Sequence, residues 1–300
     1  MKKVTGFGST SSGDISGFTN LLQEHEETVS FTLDDGFHFK DDSYFRVLHQ
    51  IEPPEVLDAV DRIIKYHKFY DLILAWNHRV LEACPNAVLF PQSVCTWMCF
   101  GPASARDFEP DVSLKKFQAS FLTSSKAWTP GHILRQQIYD RLPSSVLDLK
   151  IDKFKSPPWI PDKRAILNEY QFTITPQNAY HVNWFDDKIM DAFMSKTIPL
   201  YWGCPNIGDY FNLDGIIRFE TIEELMCKLT LLTPDYYERH FAAVEDNYER
   251  AVKRVHTWSR VDEAIAKGLD RKKNGGWSHE DMPSIVTIQR ERRIRRPLNR

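Results

Sequence analysis

The fold is decided by residues 172–219, which are FTITPQNAYHVNWFDDKIMDAFMSKTIPLYWGCPNIGDYFNLDGIIRF. The run FTIT predicts a strand, and a polar loop leads from it into a helical pattern from about Asp187 to Ser195. Two further strands, TIPLYWG and GIIRF, precede the helical segment TIEELMCKLTLL. Strands that alternate with helices of this length predict a parallel sheet with helices on both of its faces.

The same alternation continues upstream of this stretch. FQASFLTSS, from about Lys116, predicts a strand that leads into a helix through Arg135. Nearer the amino end, a second set of strands and helices is predicted by VSFTL, RVLHQIEPP, the helical spacing over 55–69, DLILAW and AVLF. We therefore predict an α/β chain of two Rossmann-like, doubly wound domains that face a crevice.

Shifts in composition give the predicted domain boundaries. The segment from about Gly101 to Leu114 contains two prolines and mixed charge, which is typical of a linker. We assign residues 1–110 to an N-terminal domain, residues 111–267 to a C-terminal domain with terminal helices, and residues 268–300 to a basic, flexible tail. The last eleven residues, RERRIRRPLNR, suit a solvated tail and also suit contact with an anionic membrane or an acidic partner.

The overall composition excludes several classes of protein. Hydrophobic residues make up 42% of the chain and aromatic residues 13%, which excludes disorder as the main state. A formal net charge of -3 provides no global attraction to nucleic acid or to an anionic bilayer. The sequence shows no apolar run of about 18 residues and no signal-peptide block. We predict a cytoplasmic protein with no nucleic-acid partner, peripheral to a membrane at most through its basic tail.

The cysteines point to a reducing environment. The five of them are odd in number and scattered without a CxxC pair: Cys84, Cys95, Cys99, Cys204 and Cys227. This pattern predicts reduced thiols rather than a disulfide framework or a zinc site. We predict no metal-ligating residues.

Two loops carry side chains suited to phosphate binding. In an open parallel sheet, ligands bind outside the carboxyl ends of the strands, where helix N-termini offer free N–H groups. The first such loop, after FLTSS, carries Ser125 and Lys126, and Arg135 follows in the next helix. The second loop, after FTIT, is polar and aromatic and carries Gln177, Asn178, Tyr180, Asn183, Trp184, Asp186, Asp187 and Lys188.

Several of these side chains have a structural explanation as well as a functional one. Acidic residues at a helix start cap N–H groups and complement the helix dipole, so Asp186 needs no ligand. A cation in the first turn opposes the dipole, so Lys188 predicts an anion close by. Tyr180 and Trp184 suit stacking on a base or a sugar, and they suit core packing equally well.

Residues 172–219 resemble the donor-binding half of the family 10 glycosyltransferases, the alpha-1,3/1,4-fucosyltransferases, especially their bacterial members. The family pattern there is roughly FENS, a short loop, YVTEK, a helix and a strand of the form TIPIYWG. The likeness places Asn178 on the Asn of FENS, and it aligns the YVTEK positions with Trp184, Asp187 and Lys188.

The resemblance extends upstream, over roughly residues 45–255 in all. FLTSSKAWTPGHILRQQIYDRL is similar to a family strand and helix start, which places Arg135 on the family's phosphate-binding arginine. HQIEPPEV is similar to the family segment whose catalytic Glu stands just before a Pro, which places Glu52 on that residue.

The resemblance implies a glycosyltransferase fold of the B type and inversion at the anomeric carbon. It implies a nucleotide-sugar donor, GDP-fucose in that family, and no strict need for a metal, although a divalent ion is compatible as a stimulant. Arg135, Lys188 and a helix N-terminus would meet the charge that develops on the departing diphosphate. Glu52 would take the proton from a hydroxyl of a glycan or glycoprotein acceptor.

Four positions depart from the family pattern. Gln177 stands where the family has Glu, Asp186 replaces Thr, Asp187 is one methylene shorter than Glu, and Trp184 replaces Tyr. An amide donates hydrogen bonds as well as accepting them, so the change at Gln177 alters which hydroxyls can be recognised. The donor therefore stays open between GDP-fucose, another GDP-sugar and a UDP-sugar.

Three other functions stay open. Asp34-Asp35 or Asp41-Asp42 would suit a metal-dependent transferase that holds Mn or Mg on a diphosphate. A non-catalytic carbohydrate- or nucleotide-binding protein would keep the crevice and lack turnover. An RNA-binding module led by the arginine tail would bind RNA in a salt-sensitive manner.

Overall fold

The computed structural model describes residues 1–7, 9–10, 13–14, 22–34, 43–98, 105–156 and 162–275. The chain divides into two compact units, which we call the first unit, Met1–Gln92 with Thr257–Arg300, and the second unit, Ser93–His256. Within the described ranges, helices long and apolar enough to cross a bilayer are absent.

The described strands and helices alternate along most of the chain. The strands are β1 (Thr5–Phe7), β2 (Ser9–Thr10), β3 (Gly13–Asp14), β4 (Val29–Leu33), β5 (Phe45–His49), β6 (Leu72–Ala75), β7 (Ala87–Leu89), β8 (Lys116–Ser124), β9 (Ser145–Val146), β10 (Leu149–Ser156), β11 (Tyr170–Pro176), β12 (Ile198–Trp202) and β13 (Ile217–Arg218). The helices are α1 (Val60–Tyr66), α2 (His78–Ala83), α3 (Pro130–Arg141), α4 (Arg164–Leu167), α5 (Asp187–Met194), α6 (Ile222–Thr230), α7 (Tyr236–Arg239), α8 (Phe241–Val252) and α9 (Thr257–Lys273).

The first unit contains a parallel sheet with the strand order β1-β4-β5-β6-β7. Strands β4 and β5 are buried along their whole length, as expected for a parallel sheet covered on both faces. Successive residues point to opposite faces, so Val47 packs with α9 whereas Leu48 packs with α1 and α2. Helix α1 begins at Val60 rather than at the predicted position 55, because residues 54–56 form a separate turn in which the N–H groups of Val56 and Leu57 donate to the carbonyl oxygen of Pro53.

Helix α9 returns the chain to the first unit. Its buried residues Val261, Ile265 and Leu269 belong to the same core cluster as Phe31 and Val47. Gly268 lies so close to the sheet that a Cβ there would stand 2.5 Å from the Phe45 ring. This packing differs from the predicted boundaries, which placed residues 111–267 in one C-terminal domain and residues 268–300 in a tail. An apolar stripe at helical spacing shows that a helix is buried but not which sheet it covers.

The second unit contains a six-stranded sheet with the order β13-β12-β11-β8-β10-β9. The pairings are parallel except for the short antiparallel contact between β9 and β10. One core cluster joins Phe121, Phe172 and Leu200 to residues of α3 and α6. A second cluster joins α5 to α8 through Phe193, Phe211 and Tyr248. This unit is therefore also doubly wound, as predicted.

The segment predicted as a linker is part of the second unit. Its described residues form short 3-10 turns at Ala105–Phe108 and Val112–Leu114. Ala105, together with Met98 just before the segment, is buried in the cluster that contains α5 and α8. The linker prediction is therefore wrong for the residues described here, because a few small or flexible apolar side chains anchor a segment that has no regular hydrophobic period. Cys99 and the arginine tail lie outside the described residues.

Candidate functional site

The strand order of the second unit creates a switch point between β8 and β11. Strand β10 pairs with one edge of β8, and β11, which comes later in the chain, pairs with the other edge of β8. The connections that leave β8 and β11 therefore diverge, and the carboxyl ends of strands at such a point are where open parallel sheets bind ligands. These are the two loops that the sequence singled out, after Ser124 and after Pro176.

The first loop leads into α3 through a well-formed helix start. Thr129 is the N-cap, and its Oγ1 accepts the backbone N–H of His132 at 3.1 Å. The His132 ring returns the contact, since its Nδ1 lies 3.3 Å from the backbone nitrogen of Thr129. Gln136 holds the preceding loop by donating to the carbonyl oxygens of Ser124 and Lys126. The helix start is thus fixed before any ligand binds.

Gly131 allows the two loops to touch. Its backbone N–H donates to the carbonyl oxygen of Asn178 at 3.0 Å. A Cβ at this position would lie 1.7 Å from the carbonyl oxygen of Gln177, which leaves no room for any side chain. The start of α3 and the loop after β11 therefore form one continuous backbone surface.

Arg135 joins the same two loops through its side chain. Nη1 donates to the carbonyl oxygen of Pro176 at 2.7 Å, and Nη2 donates to Oδ1 of Asn178 at 2.8 Å. The residue is 4% exposed, and burial lowers the pKa of its guanidinium to about 10, while Asp186 and Asp187 act in the opposite direction. Arg135 still carries its charge at neutral pH, so a fixed cation lies where the two loops meet.

His132 is neutral in this setting. Burial, reinforced by the nearby cations Arg135, Lys188 and Lys126, lowers the pKa of His132 to about 2. The Trp128 ring stacks on it at a centroid distance of 5.8 Å. Lys126 Nζ in turn lies 5.6 Å from the centre of the Trp128 ring. Ser125 is exposed on the same loop. Positive charge therefore surrounds this helix start.

The second loop is held in shape by its own polar side chains. Asn183 adopts a left-handed backbone conformation, with φ of 63°, which Asn tolerates better than most residues. Its backbone N–H and its Oδ1 both bind Asn206, at 2.8 and 2.7 Å, and the Tyr210 hydroxyl donates to the same Oδ1 at 2.7 Å. Trp184 is only 2% exposed, so its ring presents almost no surface to a ligand.

Asp186 caps α5 and binds Lys188. Its Oδ1 accepts the backbone N–H of Lys188 at 3.1 Å, and its Oδ2 accepts Lys188 Nζ at 2.8 Å. When the buried amide of Gln177 is oriented so that both of its polar atoms have partners, its nitrogen donates to Oδ2 of the same carboxylate at 3.2 Å. Burial raises the pKa of Asp186, which Lys188 opposes. An anion was predicted near Lys188, and in this structure the carboxylate of Asp186 is that anion.

Asp187 lies between two lysines. Its Oδ2 accepts Lys163 Nζ at 2.5 Å, and its Oδ1 accepts Lys188 Nζ at 3.3 Å. Burial alone would raise the pKa of Asp187, but Lys163 and Lys188 outweigh it and hold the pKa below its usual value. Asp187 is therefore ionised throughout the physiological range.

Asp191 and Thr96 extend this network of hydrogen bonds and ion pairs. The sequence did not identify either of them, or Lys163, as a site residue. Asp191, one turn after Asp187, accepts Lys163 Nζ at 2.7 Å and the backbone N–H of Thr96 at 2.7 Å. The Thr96 hydroxyl donates to Asp191 Oδ2 at 2.5 Å and to Asp187 Oδ2 at 3.2 Å. An aspartate within the apolar run IMDAFM was a usable signal for Asp191. Lys163 and Thr96 are distant in sequence and carried none.

Tyr180 lies at the outer side of the second loop. It is 39% exposed, its hydroxyl donates to Glu220 at 3.1 Å, and its ring lies 5.4 Å from that of Trp202. A cavity of about 490 Å³ beside β13 is partly lined by Glu220. Of the two predicted stacking residues, Tyr180 is therefore the one that keeps an accessible ring.

Glu52 belongs to the first unit, where it follows β5. Its backbone N–H donates to Oδ1 of Asp34 at 3.1 Å, and the same oxygen accepts the N–H of Ile51 at 2.7 Å. Asp34 is fully buried and has a left-handed φ of 46°. The backbone of the loop that carries Glu52 is thus tied to the end of β4.

The acidic pairs proposed for a metal are only partly described. Asp34 uses one carboxylate oxygen for backbone N–H groups, whereas Asp35, Asp41 and Asp42 lie outside the described residues. The described ranges contain no cluster of three or more His, Cys, Asp or Glu side chains placed to hold a metal ion.

Known protein-family profiles give no match to this chain. In sequence, the alpha-(1,3)-fucosyltransferase FucT of Helicobacter pylori is 31% identical over 113 residues, which make up 35% of this chain and 22% of that protein. The match thus spans less than a quarter of the relative's length.

Solved structures give matches over most of the chain. A crystal structure of an alpha1,3-fucosyltransferase has a TM-score of 0.52 at 16% identity, over 86% of this chain and 81% of that one. A structure of an alpha1,3-fucosyltransferase with GDP has a TM-score of 0.54 at 16% identity, over 94% and 93%. A UDP-forming alpha,alpha-trehalose-phosphate synthase from Burkholderia xenovorans has a TM-score of 0.51 at 9% identity, over 81% and 73%.

At these identities the structural matches establish the fold. They confirm the predicted fold class, an α/β chain of two Rossmann-like units of the glycosyltransferase B type. The predicted resemblance to the alpha-1,3-fucosyltransferases is confirmed in sequence over about a third of the chain and in fold over most of it.

Proposed function

From this likeness and from the geometry of the second unit, we propose that the chain is an inverting glycosyltransferase. It moves a sugar, fucose from GDP-fucose, to a hydroxyl of a glycan or glycoprotein acceptor. The observation that carries the proposal is the hydrogen bond from Arg135 to Asn178 across the switch point. It brings together two of the positions that the resemblance assigns to the donor, at the place where open parallel sheets bind nucleotides.

The second unit binds the diphosphate of the donor. Arg135 and Lys188 carry positive charge beside the N-termini of α3 and α5, which also attract anions. As the sugar leaves, negative charge grows on the terminal phosphate oxygens, and fixed cations stabilise that charge most in the transition state. Ser125 and Lys126 add hydrogen-bond donors from the loop before α3. Asn178 and Asp187 contact the nucleotide sugar from the second loop and the start of α5, and Tyr180 offers a ring to the nucleoside or sugar. Gln177, predicted to bind the donor, is completely buried and acts through Asp186 instead. Trp184 supports the loop from within.

The first unit supplies the base. Glu52 accepts the proton of the acceptor hydroxyl as that oxygen bonds to the anomeric carbon. The bond from the anomeric carbon to the diphosphate oxygen breaks at the same time, and its electron pair leaves with the nucleoside diphosphate. Attack opposite the leaving group inverts the anomeric configuration. No metal is required for these steps, and a divalent ion would act only by adding charge to the diphosphate.

A donor other than GDP-fucose is the main alternative. Gln177 is completely buried and turns its amide to Asp186, at a position where the resembled family has a Glu. An amide that donates to Asp186 changes which hydrogen bonds that carboxylate can accept, whereas a Glu at this position could not donate to it. The same two loops would also serve a protein that binds a nucleotide sugar without turnover.

A thermal-shift panel tests the proposal. The purified chain is heated with GDP, UDP, CDP and ADP and with their common sugar conjugates, with and without Mn²⁺, because a ligand that binds only the folded state raises the melting temperature. We expect the largest shift with GDP and GDP-fucose in the absence of metal. A shift with UDP compounds only would keep the transferase and change its donor. Stabilisation by none of the nucleotides would contradict the proposal.

The acceptor side is tested by turnover. Radiolabelled GDP-fucose is incubated with the chain and a panel of free glycans and glycoproteins, and incorporation is measured. Binding of GDP-fucose without incorporation or hydrolysis would favour the non-catalytic alternative.

A further inference from the structure

Lys163 is a buried cation for which the proposed chemistry has no direct use. Its side chain is 11% exposed, and its ammonium group is bound by two carboxylates, Asp187 at 2.5 Å and Asp191 at 2.7 Å. Burial alone would lower the pKa of Lys163, but the two carboxylates outweigh it and raise the pKa above its usual value. Lys163 is therefore always charged, and its charge is directed at α5.

Asp191 and Thr96 hold that cation in place. Both carboxylate oxygens of Asp191 are engaged, Oδ1 by the Thr96 backbone N–H and Oδ2 by the Thr96 hydroxyl and Lys163. Asp191 is 1% exposed and Thr96 is 3% exposed. A buried carboxylate with three donors around it is held rigidly, since moving it would leave several charged or polar groups without hydrogen-bond partners.

Asp187 connects this anchor to the proposed phosphate-binding lysine. It offers one oxygen to Lys163 and the other to Lys188. Three carboxylates of α5 and its cap, Asp186, Asp187 and Asp191, face three cations, Lys163, Lys188 and Arg135. Without Lys163 the acids would outnumber the cations, and the local field would repel a diphosphate.

We propose that Lys163 is a positioning residue of the donor site: by fixing and neutralising Asp187, it leaves Lys188 able to exchange that carboxylate for the diphosphate of an incoming nucleotide. The inference rests on the proposed function. In the free chain Lys188 shares its ammonium group between Asp186 and Asp187. When the diphosphate takes Lys188, Asp187 keeps Lys163 as its counter-ion and is not left as an unpaired buried charge.

The test compares nucleotide affinity in three variants. Lys163→Met removes the charge and keeps much of the apolar stem, and Lys163→Arg keeps the charge. Lys196→Met is the matched control, because Lys196 is also a buried lysine of the second unit with two carboxylate partners, Glu109 at 2.6 Å and Glu245 at 2.8 Å. Dissociation constants for GDP are measured by titration calorimetry at a temperature where each variant is folded, and donor and acceptor KM values are measured in the transfer assay.

We expect Lys163→Met to weaken GDP binding and raise the donor KM by about tenfold. Without Lys163, Asp187 holds Lys188 away from the diphosphate, and a displaced Lys188 loses much of its contribution to binding. The acceptor KM stays unchanged, and Lys163→Arg recovers most of the affinity. Lys196→Met lowers the melting temperature without changing the GDP dissociation constant. A purely structural Lys163 would behave like Lys196, with lower stability and unaltered donor affinity, and that result overturns the inference.

A milder variant covers the case in which Lys163→Met does not fold. Thr96→Val removes the hydroxyl that donates to both Asp187 and Asp191 and keeps every charge. It should weaken GDP binding in the same direction and by less, and unchanged binding would again overturn the inference. If the wild-type chain binds none of the nucleoside diphosphates, the proposed function and this inference fail together. If the wild type binds GDP and the variants bind it equally well, only the inference fails.

Discussion

The carboxyl ends of the two sheets are built from different chemistry. In the second unit, that edge gathers three carboxylates and three cations around the start of α5 and the switch point. In the first unit, the described groups at the same edge include neutral Gln50 and Asn77, and Asp34, whose Oδ1 is occupied by backbone N–H groups. In the proposed mechanism the second edge exchanges an internal anion for an external one, whereas the first edge holds the backbone beneath one carboxylate, Glu52, in place.

Removal of the proposed base, Glu52, should have the largest effect, and it should affect the function of the first edge without affecting that of the second. Glu52→Gln keeps the size of the side chain and removes its ability to take a proton. We expect transfer to fall by about 10²- to 10⁴-fold, the usual contribution of general base catalysis. The GDP dissociation constant should stay close to that of the wild type, because the proposal assigns nucleotide binding to the other unit. Initial rates and calorimetry give the two quantities.

Glu55→Gln is the control for that variant, since it removes a nearby carboxylate that has no assigned role. It should retain wild-type turnover. Transfer by Glu52→Gln at the wild-type rate would remove Glu52 from the mechanism and leave the second edge as the only assigned site.

The reverse effect is expected from Lys188→Ala. Loss of a charged hydrogen bond to the diphosphate should weaken GDP binding by about 1.5–3 kcal/mol. Lys228→Ala is the matched control, because Lys228 pairs with Glu224 at 3.2 Å on the surface of α6. Equal GDP affinity in both variants would show that Lys188 serves only Asp186 and Asp187.

The contact between the two loops of the second unit is tested by Gly131→Ala. The new Cβ would collide with a backbone oxygen that cannot rotate away, so we expect a loss of stability of about 1–3 kcal/mol together with weaker GDP binding. Gly208→Ala is milder, because its Cβ would meet the flexible end of Leu213 at 3.0 Å. Denaturant titration measures the first effect. A Gly131→Ala variant as stable as Gly208→Ala would contradict the close approach.

The dependence of stability on pH tests the neutral character of the first edge. Burial, with a smaller contribution from Arg260, lowers the pKa of His49 to about 3, from 6.5 for a free imidazole. The unfolded chain therefore binds the proton more readily than the folded one, and the stability contributed by neutral His49 is lost as the pH falls. Between pH 6.5 and about 3 the loss approaches about 1.4 kcal/mol per pH unit for this group.

His49→Phe removes that dependence, since Phe suits the aromatic contacts with Phe31 and Phe90 and has no proton to bind. The difference in stability between variant and wild type should grow in favour of the variant as the pH is lowered. Urea titrations over this pH range measure it, with His78→Phe on the exposed start of α2 as the control. Parallel pH profiles for His49→Phe and the wild type would contradict a buried, neutral imidazole.

Local pattern predicted much of the fold and the outline of the candidate site. Alternating strands and helices gave the two doubly wound units, and the strand ends at Ser124 and Pro176 identified the two loops that the structure joins. Both are properties of short segments, so a sequence can reveal them. The roles assigned to Glu52, Arg135 and the other site residues remain predictions for the experiments above.

What could not be predicted depends on contacts between distant segments. Lys163 lies 24 residues before Asp187, and Thr96 lies 91 residues before it. Neither stands in a pattern that marks it. The two explanations for Trp184 could not be separated either, and its 2% exposure favours packing. The position of α9 depends on which sheet offers a matching surface, which a helical stripe does not specify.

The return of α9 has a consequence for how the chain is made. Val261, Ile265 and Leu269 complete the core around Phe31 and Val47, so the first unit needs residues synthesised more than two hundred positions after its own strands. The second unit, by contrast, has its whole sequence by His256. During translation the internal unit can therefore reach its final structure first, and the amino-terminal strands must wait with an uncovered apolar face. Their exposure to chaperones and to aggregation lasts until the ribosome releases α9.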